Sequence, residues 1–311
     1  MKHPLSQKLY DEFYDKGKAK QSSKMSSHWS NYVNYFSLSN DKKGNARLFG
    51  FGFGESDQKP SLRGRALGWL EILIKTIFYF PIKEMASLIL WGRQIVRKMN
   101  LYFGQDAFRH LCVLILLKKN IPSVPRKILV IGDGPGILSA LFHETWPEAQ
   151  IFLIDLGVTL AIQAQNLTRA FPGTSHKEGV GEESGFYYLA AERLNLPRNI
   201  SFDLAVNVAS MQEMKPETVK EYFQLLRTHA TGWFYCCNRV EKVMPEGEVS
   251  RFYDYPWKQG DEIIVEGYPK WYGWFLGLGG FPVVSWGSFQ LPLLRRYDGV
   301  HAHRFIRMAP S

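Results

Sequence analysis

The stretch Lys127–Gly157, KILVIGDGPGILSALFHETWPEAQIFLIDLG, constrains this chain more than any other. Its four leading apolar residues, Ile128-Leu129-Val130-Ile131, read as a buried strand. Glycines then occupy alternate positions, Gly132, Gly134 and Gly136. Apolar residues at helical spacing (Ile137, Leu138, Leu141, Phe142) predict a helix that Pro147 closes. A second apolar run, Ile151-Phe152-Leu153-Ile154, ends in Asp155. The unit is strand, turn, helix and strand, with an acid at the carboxyl end of the second strand.

Each residue type has a physical reason to be where it is. A glycine-rich turn lets backbone approach a ligand closely, because no Cβ intervenes. The same turn aims the free N–H groups of the following helix at any polar group placed there. An acid about twenty residues on can accept hydrogen bonds from the vicinal hydroxyls of a ribose. The unit therefore asks for a nucleoside with a polar tail.

Glycine spacing separates the two cofactor classes that fit. Dinucleotide sites use G-x-G-x-x-G, whose third glycine permits close helix–strand packing. Here the third glycine comes one residue early, and Ile137 and Leu138 fill the next places. This resembles the pattern of class I S-adenosylmethionine-dependent methyltransferases. That pattern usually has an acid two residues before the first glycine. This chain has Val130 there and carries Asp133 inside the turn, as a candidate for the methionine-end contacts.

The rest of the chain suits that frame. Its 311 residues allow a sizeable core, and 45% hydrophobic content excludes a disordered chain. Of its three cysteines, Cys236 and Cys237 are neighbours that are not expected to pair, and no metal-ligand spacing occurs. No signal-peptide pattern opens the sequence, so a reduced cytoplasmic setting is expected. The net charge of +9 divides unevenly, +12 over residues 1–126 and −3 over the remainder. No nucleic-acid recognition motif accompanies the basic part, so nucleic acid is not expected as a partner. A solvated basic face, an anionic membrane surface or a phosphate-bearing substrate accounts for it.

Two regions are expected, a helical basic one over 1–125 and a cofactor-binding one over 126–311. Residues 1–60 read as polar, with an aromatic cluster at His28–Phe36 and a loop at Gly50–Gly54. The cluster either packs an arm onto the main domain or closes over a substrate. Helices are expected over Ala66–Tyr79, Ile82–Met99 and Phe108–Lys119, as cap or interfacial helices, with Ile121–Pro125 as a linker. None has the uncharged length of a membrane span. Beyond Asp155 the expected order is helix Val158–Ala170, polar loop 173–185, strand Phe186–Ala190, strand Phe202–Val208, helix Pro216–His229 and strand Gly232–Cys237. A last strand is expected at Ala302–Met308. The fold class is α/β, Rossmann-like, with a central mostly parallel sheet flanked by helices.

Ligands of such sheets lie outside the carboxyl ends of the strands. The rule selects the glycine turn, Asp155 with Leu156, and the segments after Val208 and Cys237. Those two segments read Ala209-Ser210-Met211-Gln212-Glu213-Met214 and Asn238-Arg239-Val240-Glu241-Lys242. The strings Asn207–Met214, Tyr235–Arg239 and Tyr255-Pro256-Trp257 resemble those of the sugar O-methyltransferase family of bacterial surface-polysaccharide gene clusters. The resemblance spans roughly residues 126–265. It implies a class I fold, S-adenosylmethionine as cofactor and a sugar hydroxyl as acceptor, linked to a nucleotide, lipid or polymer. The charge distribution leaves peripheral contact at the inner membrane face open to the basic region of a cytoplasmic protein.

The candidate cofactor contacts are thus Gly132, Asp133, Gly134, Gly136, Asp155, Leu156 and Ser210. Methyl transfer to oxygen is an in-line displacement that the protein assists by alignment. A sugar hydroxyl also needs a base, and Glu213 is the first candidate, ahead of Glu241 and His28. The alternative for Glu213 is a first-turn helix acid. Gln212, Asn238, Arg239, Glu241 and Trp257 are the candidate sugar contacts. Other readings of the chain are methylation of another small hydroxyl or amine, or a cofactor-binding but inactive partner in polysaccharide assembly.

Overall fold

The computed structural model describes residues 4–13, 26–32, 37–40, 46–49, 62–79, 82–229, 231–272, 274–276, 284–286, 289–291, 294–296 and 299–309. Eight helices are seen among them: α1 (Pro4–Phe13), α2 (Ser27–Tyr32), α3 (Leu62–Tyr79), α4 (Ile82–Lys98), α5 (Gln105–Asn120), α6 (Ile137–Thr145), α7 (Gly157–Ala170) and α8 (Pro216–Thr228). The central sheet is built from β1 (Lys127–Ile131), β2 (Gln150–Asp155), β3 (Ser175–Glu178), β4 (Gly185–Ala190), β5 (Leu204–Val208), β6 (Trp233–Arg239), β7 (Glu262–Gly267) and β8 (His301–Arg307). Its spatial order is β7-β8-β6-β5-β1-β2-β4-β3. Strands β3 through β6 in that order are parallel to one another, β8 runs antiparallel to β6, and β7 antiparallel to β8. The fold is Rossmann-like, as expected.

Strand periodicity sorts the core into two layers. Ile128, Val130, Ile151, Leu153, Val206 and Cys237 face a core shared with α1, α4, α5, α6 and α7. Leu129, Ile131, Phe152, Ile154, Ala205 and Cys236 face one shared with α8. Alternate residues of a strand point to opposite faces, which explains why the neighbouring Cys236 and Cys237 remain free. It also explains Val130, whose side chain is 2% exposed and lies in the core, so that position has no acid to offer.

The core crosses the boundary expected near residue 125. Phe108, Leu111, Leu114 and Leu117 of α5 are fully buried in the same cluster as β1 and α6. Four such side chains contribute at most about 6–12 kcal/mol, comparable with the net stability of a whole domain. The N-terminal helices are therefore part of the framework that shapes the site. The α1 helix lies on α7, where Phe13 occupies the space that a Cβ on Gly157 would need.

Several elements differ from expectation. Residues 1–60 contain α1, α2 and the paired strands Ser37–Asn40 and Ala46–Phe49. The loop expected at 173–185 contains the edge strand β3, and β7 adds an unexpected strand. Strand β6 continues through Asn238 and Arg239, which pair with Ala302 and His301 of β8. Val33–Phe36 of the aromatic cluster and the Gly50–Gly54 loop lie outside the described residues.

Candidate functional site

The chain leaves β1, runs outward through β2 and β4, and returns on the other side of β1 to build β5 and β6. This reversal opens a crevice at the carboxyl ends of the strands. A cavity of about 260 Å³ occupies it. Its wall includes Gly132, Asp133, Gly134, Asp155, Leu156, Ser210, Gln212, Glu213 and Arg239. Nine of the candidates from four separate segments thus meet in one cavity.

The glycine turn is held in shape by its surroundings. Gly132, Gly134 and Gly136 have φ values of 71°, 54° and 89°. A Cβ on Gly132 would stand 2.1 Å from the Ser210 hydroxyl oxygen, so the position excludes any side chain twice over. Gly136 itself does not line the cavity; a Cβ there would press on Leu167 of α7. Asp133 behaves differently from the expectation of free helix N–H groups. Its carboxylate accepts from the Leu138 and Ser139 amides at 3.0 and 2.8 Å, so it caps α6 from within the turn. Burial raises its carboxyl to about 6, against the opposing pull of those amides.

Asp155 sits at the end of β2 with its carboxylate accepting from the Leu156 amide at 2.8 Å and from Gln163 Nε2 at 2.7 Å. Burial raises this carboxyl to about 8, and the Asp133 and Glu192 carboxylates add to the shift. Glu192 in turn accepts from the Gly157 amide and so caps α7. Close by, Thr159 Oγ1 and Gln163 Oε1 are buried without a hydrogen-bond partner among the described residues. Such atoms are costly unless something polar meets them. Leu156, Ala191 and Tyr222 provide flat or apolar wall beside these acceptors.

The segment after β5 is pinned by a buried amide network. Asn238 Nδ2 donates to Asn207 Oδ1 at 2.7 Å, and the Gln212 amide donates to Asn238 Oδ1 at 3.1 Å. Asn207 Nδ2 reaches the Ile131 carbonyl, and the Arg239 amide donates to Gln212 Oε1. Ala209, bordering the cavity, is drawn into the left-handed region with φ 56°. Asn238 is fully buried in this network and does not reach the cavity, which corrects the substrate role expected of it. It lies inside β6 and not in the loop beyond it.

Two other candidates also lie elsewhere. Glu241 is on an exposed hairpin and pairs with Arg251 at 2.7 Å. Trp257 packs against Phe223 and Phe252, donates from its indole to the Phe252 carbonyl, and lies under the Arg304 guanidinium. Neither lines the cavity. Glu213 does, and its carboxylate meets Lys242 Nζ at 2.8 Å and His28 Nε2 at 3.5 Å. It sits in a short 3-10 turn, Met211–Glu213, and not in the first turn of α8. Burial lowers the His28 pKa, with Glu213 opposing, so the imidazole is neutral near neutral pH. The N-terminal arm is tied down here, with the Ser26 hydroxyl donating to the Glu213 carbonyl and Ser27 to Glu248. Trp29 of the same arm borders the cavity, so the arm both packs on the domain and walls the site.

Residues of α5 and the C-terminal segment complete the wall: Tyr102, Asp106, Arg109, His110, Tyr272 and His301. None was singled out from sequence. Arg109 and His110 stand next to each other just before the apolar run 111–117, which is the only local sign of them. Burial lowers His301 to about 3, with Arg109 contributing, and His110 to about 4.

No family model matches this chain, and no curated protein matches it. Solved structures do resemble it. The magnesium protoporphyrin IX methyltransferase ChlM from Synechocystis PCC 6803, with SAM bound, is 11% identical over 66% of this chain and 79% of its own, with a TM-score of 0.40. TehB from Haemophilus influenzae is 13% identical over 64% and 62%, with a TM-score of 0.40. The cyclase SpnF is 19% identical over 51% and 59%, with a TM-score of 0.38. With every TM-score below 0.5, these likenesses carry no argument about this chain. The functional argument rests on the cavity's own residues.

Proposed function

We propose that this protein is an S-adenosylmethionine-dependent methyltransferase whose acceptor is a sugar hydroxyl. The observation that carries the reading is the meeting of the glycine turn and Asp155 in one cavity at the carboxyl edge of the sheet. The residues present fit the cofactor. Asp155 offers acceptors to a ribose, the unpartnered Thr159 hydroxyl offers a further polar contact, and Leu156 and Tyr222 offer wall to a purine. When bound, the cofactor supplies a methyl group on a positively charged sulfur.

The chain's own part is to bring the acceptor oxygen into line and to take its proton. Glu213 is the proposed base. Lys242 and His28 hold its carboxylate in one orientation at the cavity wall, and the neutral His28 imidazole is placed to receive a proton from it. Gln212 and Arg239 are the proposed acceptor contacts, both in the wall beside Glu213. The sugar itself is supported by the sequence resemblance of the Asn207–Met214 and Tyr235–Arg239 strings.

The test is calorimetric binding of S-adenosylhomocysteine, with NADH and Asp155→Ala as controls, followed by methyl transfer to nucleotide-linked and lipid-linked sugars. Binding that Asp155→Ala weakens, together with sugar methylation, supports the reading. Binding without turnover on any sugar favours the inactive-partner alternative, and NADH binding removes the methyltransferase reading.

An anionic membrane surface is the proposed partner of the N-terminal region. The α3 helix buries Ile72 but also turns apolar residues outward. Leu62, Leu70, Leu73 and Ile77 on its outer face are 45–82% exposed, whereas Glu71 and Lys75 form a buried ion pair beneath. Exposed Arg65 of α3, and exposed Arg93, whose guanidinium lies over the Trp69 ring of α3, stand near this apolar stripe. Residues 271–294 carry no charged side chain, and their strand Trp274–Leu276 runs beside α3. Apolar area framed by basic residues suits an anionic bilayer surface. No helix among the described residues is long and apolar enough to cross a membrane.

A further inference from the structure

Part of the cavity wall is built by α5 and the residues just before it, and its chemistry differs from the rest. Since the C-terminus of α5 leads to the start of β1, its N-terminus lies at the other edge of the sheet, over the glycine turn. From there Tyr102, Gly104, Asp106, Arg109 and His110 enter the wall. Asp106 and Arg109, three apart and so on one helix face, form an ion pair of 2.7 Å. Arg109 is buried while Asp106 stays half-exposed.

The arginine is braced. Its guanidinium lies 4.6 Å from the centre of the Tyr272 ring, and that ring stacks on His301 at 4.0 Å. Beside it, His110 Nδ1 is buried and has no hydrogen-bond partner among the described residues. One end of the cavity thus presents a fixed cation, an anion with an accessible face and an unsatisfied ring nitrogen. That set complements a zwitterion, a group carrying both an ammonium and a carboxylate, whereas a neutral ribose does not call for a fixed cation beside an anion. The place where an acid would normally serve this purpose, Val130, is buried in the core. Asp133 is already engaged in capping α6.

Resting on the methyltransferase reading, we infer that the Asp106–Arg109 pair is the subsite for the amino-acid end of S-adenosylmethionine. Arg109 donates to the carboxylate, and Asp106 accepts from the ammonium. Five N–H groups let the guanidinium serve Asp106 and a ligand together. Tyr272 and His301 are positioning residues that keep the guanidinium plane turned to the cavity.

Two ligands separate this inference from the reading it rests on. S-Adenosylhomocysteine and 5′-deoxy-5′-methylthioadenosine share the nucleoside, but only the first has the amino-acid end. Calorimetry on the full chain should show the first binding more tightly. Asp106→Asn and Arg109→Lys should each weaken S-adenosylhomocysteine by about 10- to 100-fold, the range expected for a charge-assisted hydrogen bond. Methylthioadenosine affinity should be unchanged, which also shows that each variant is folded. Retained S-adenosylhomocysteine affinity in a variant that still binds methylthioadenosine overturns the subsite. An equal loss of both ligands in the surface variant Asp106→Asn overturns it too, because the pair then only supports the fold. Failure of the wild type to bind either ligand overturns the methyltransferase reading itself.

Discussion

Asp155 is half-buried at the end of β2, and desolvation there raises its carboxyl to about 8, so it carries a proton near neutral pH. Its unfolded counterpart loses that proton near 3.8. A group raised on folding stabilises the native state at low pH, and that contribution is lost as pH rises through about 8. Native stability should therefore fall between about pH 4 and 8, and less steeply in Asp155→Asn, as followed by melting temperature. Ribose hydroxyls donate to the ionised form, so ligand binding should work in the opposite direction. Binding of S-adenosylhomocysteine should release a proton near neutral pH and tighten as pH climbs towards about 8. Calorimetry in buffers of differing ionisation enthalpy reads this directly, and proton uptake instead would remove Asp155 from the ligand. Glu213→Gln should lower turnover by about 100-fold or more with S-adenosylhomocysteine affinity unchanged. Near-normal turnover would end its role as base.

Residues with similar chemistry were not equally legible. Asp155 could be placed from sequence because it ends a recognisable strand, and strand ends at a sheet's carboxyl edge face the crevice. Asn238 could not, because its role depends on where β6 stops. Strand pairing with β8 carries β6 two residues further and turns Asn238 into the dry side of the loop. Asn238→Ala leaves Asn207 and the Gln212 amide without their buried partner, which should cost about 2–4 kcal/mol in denaturant unfolding. A change below about 0.5 kcal/mol would show that water replaces the bond.

Among the elements, the helices flanking the sheet divide into those announced by periodicity and those that packing had to reveal. Helices α6, α7 and α8 follow from their apolar spacing, with Pro147 and Pro216 marking an end and a start. The α1 helix is short, polar in sequence and held by α7, where Phe13 fills the space above Gly157. Helices this short are marginal alone, so α1 exists because α7 is there. Gly157→Ala would place a Cβ 2.1 Å from the Phe13 ring. It should destabilise the protein by about 1–3 kcal/mol and open α1 to limited proteolysis. Adding Phe13→Ala should recover part of the loss of stability in a double-mutant cycle. Simple additivity would mean that the two sites do not meet.

At the scale of the whole molecule, the uneven charge takes on a location. The basic N-terminal region contributes buried core through α5 and an exposed apolar stripe through α3. If α3 meets a lipid surface, the protein should sediment with phosphatidylglycerol vesicles and much less with phosphatidylcholine ones. Replacing Leu70, Leu73 and Ile77 together by Glu should abolish this and leave S-adenosylhomocysteine affinity intact. Equal sedimentation with both vesicle types, or none, would dismiss the lipid partner.

The sequence by itself determined the α/β class, the position of the glycine turn and the acid that faces it. These depend on contacts within about thirty residues, where strand and helix periods and the positive φ of the glycines act directly. Tertiary structure alone decided which side chains share the cavity. Ser26 meets Glu213 across 187 positions of sequence, and Asp106 and Arg109 face the glycine turn only because α5 packs on α6. No local pattern encodes such a meeting, because it arises from how buried faces fit together.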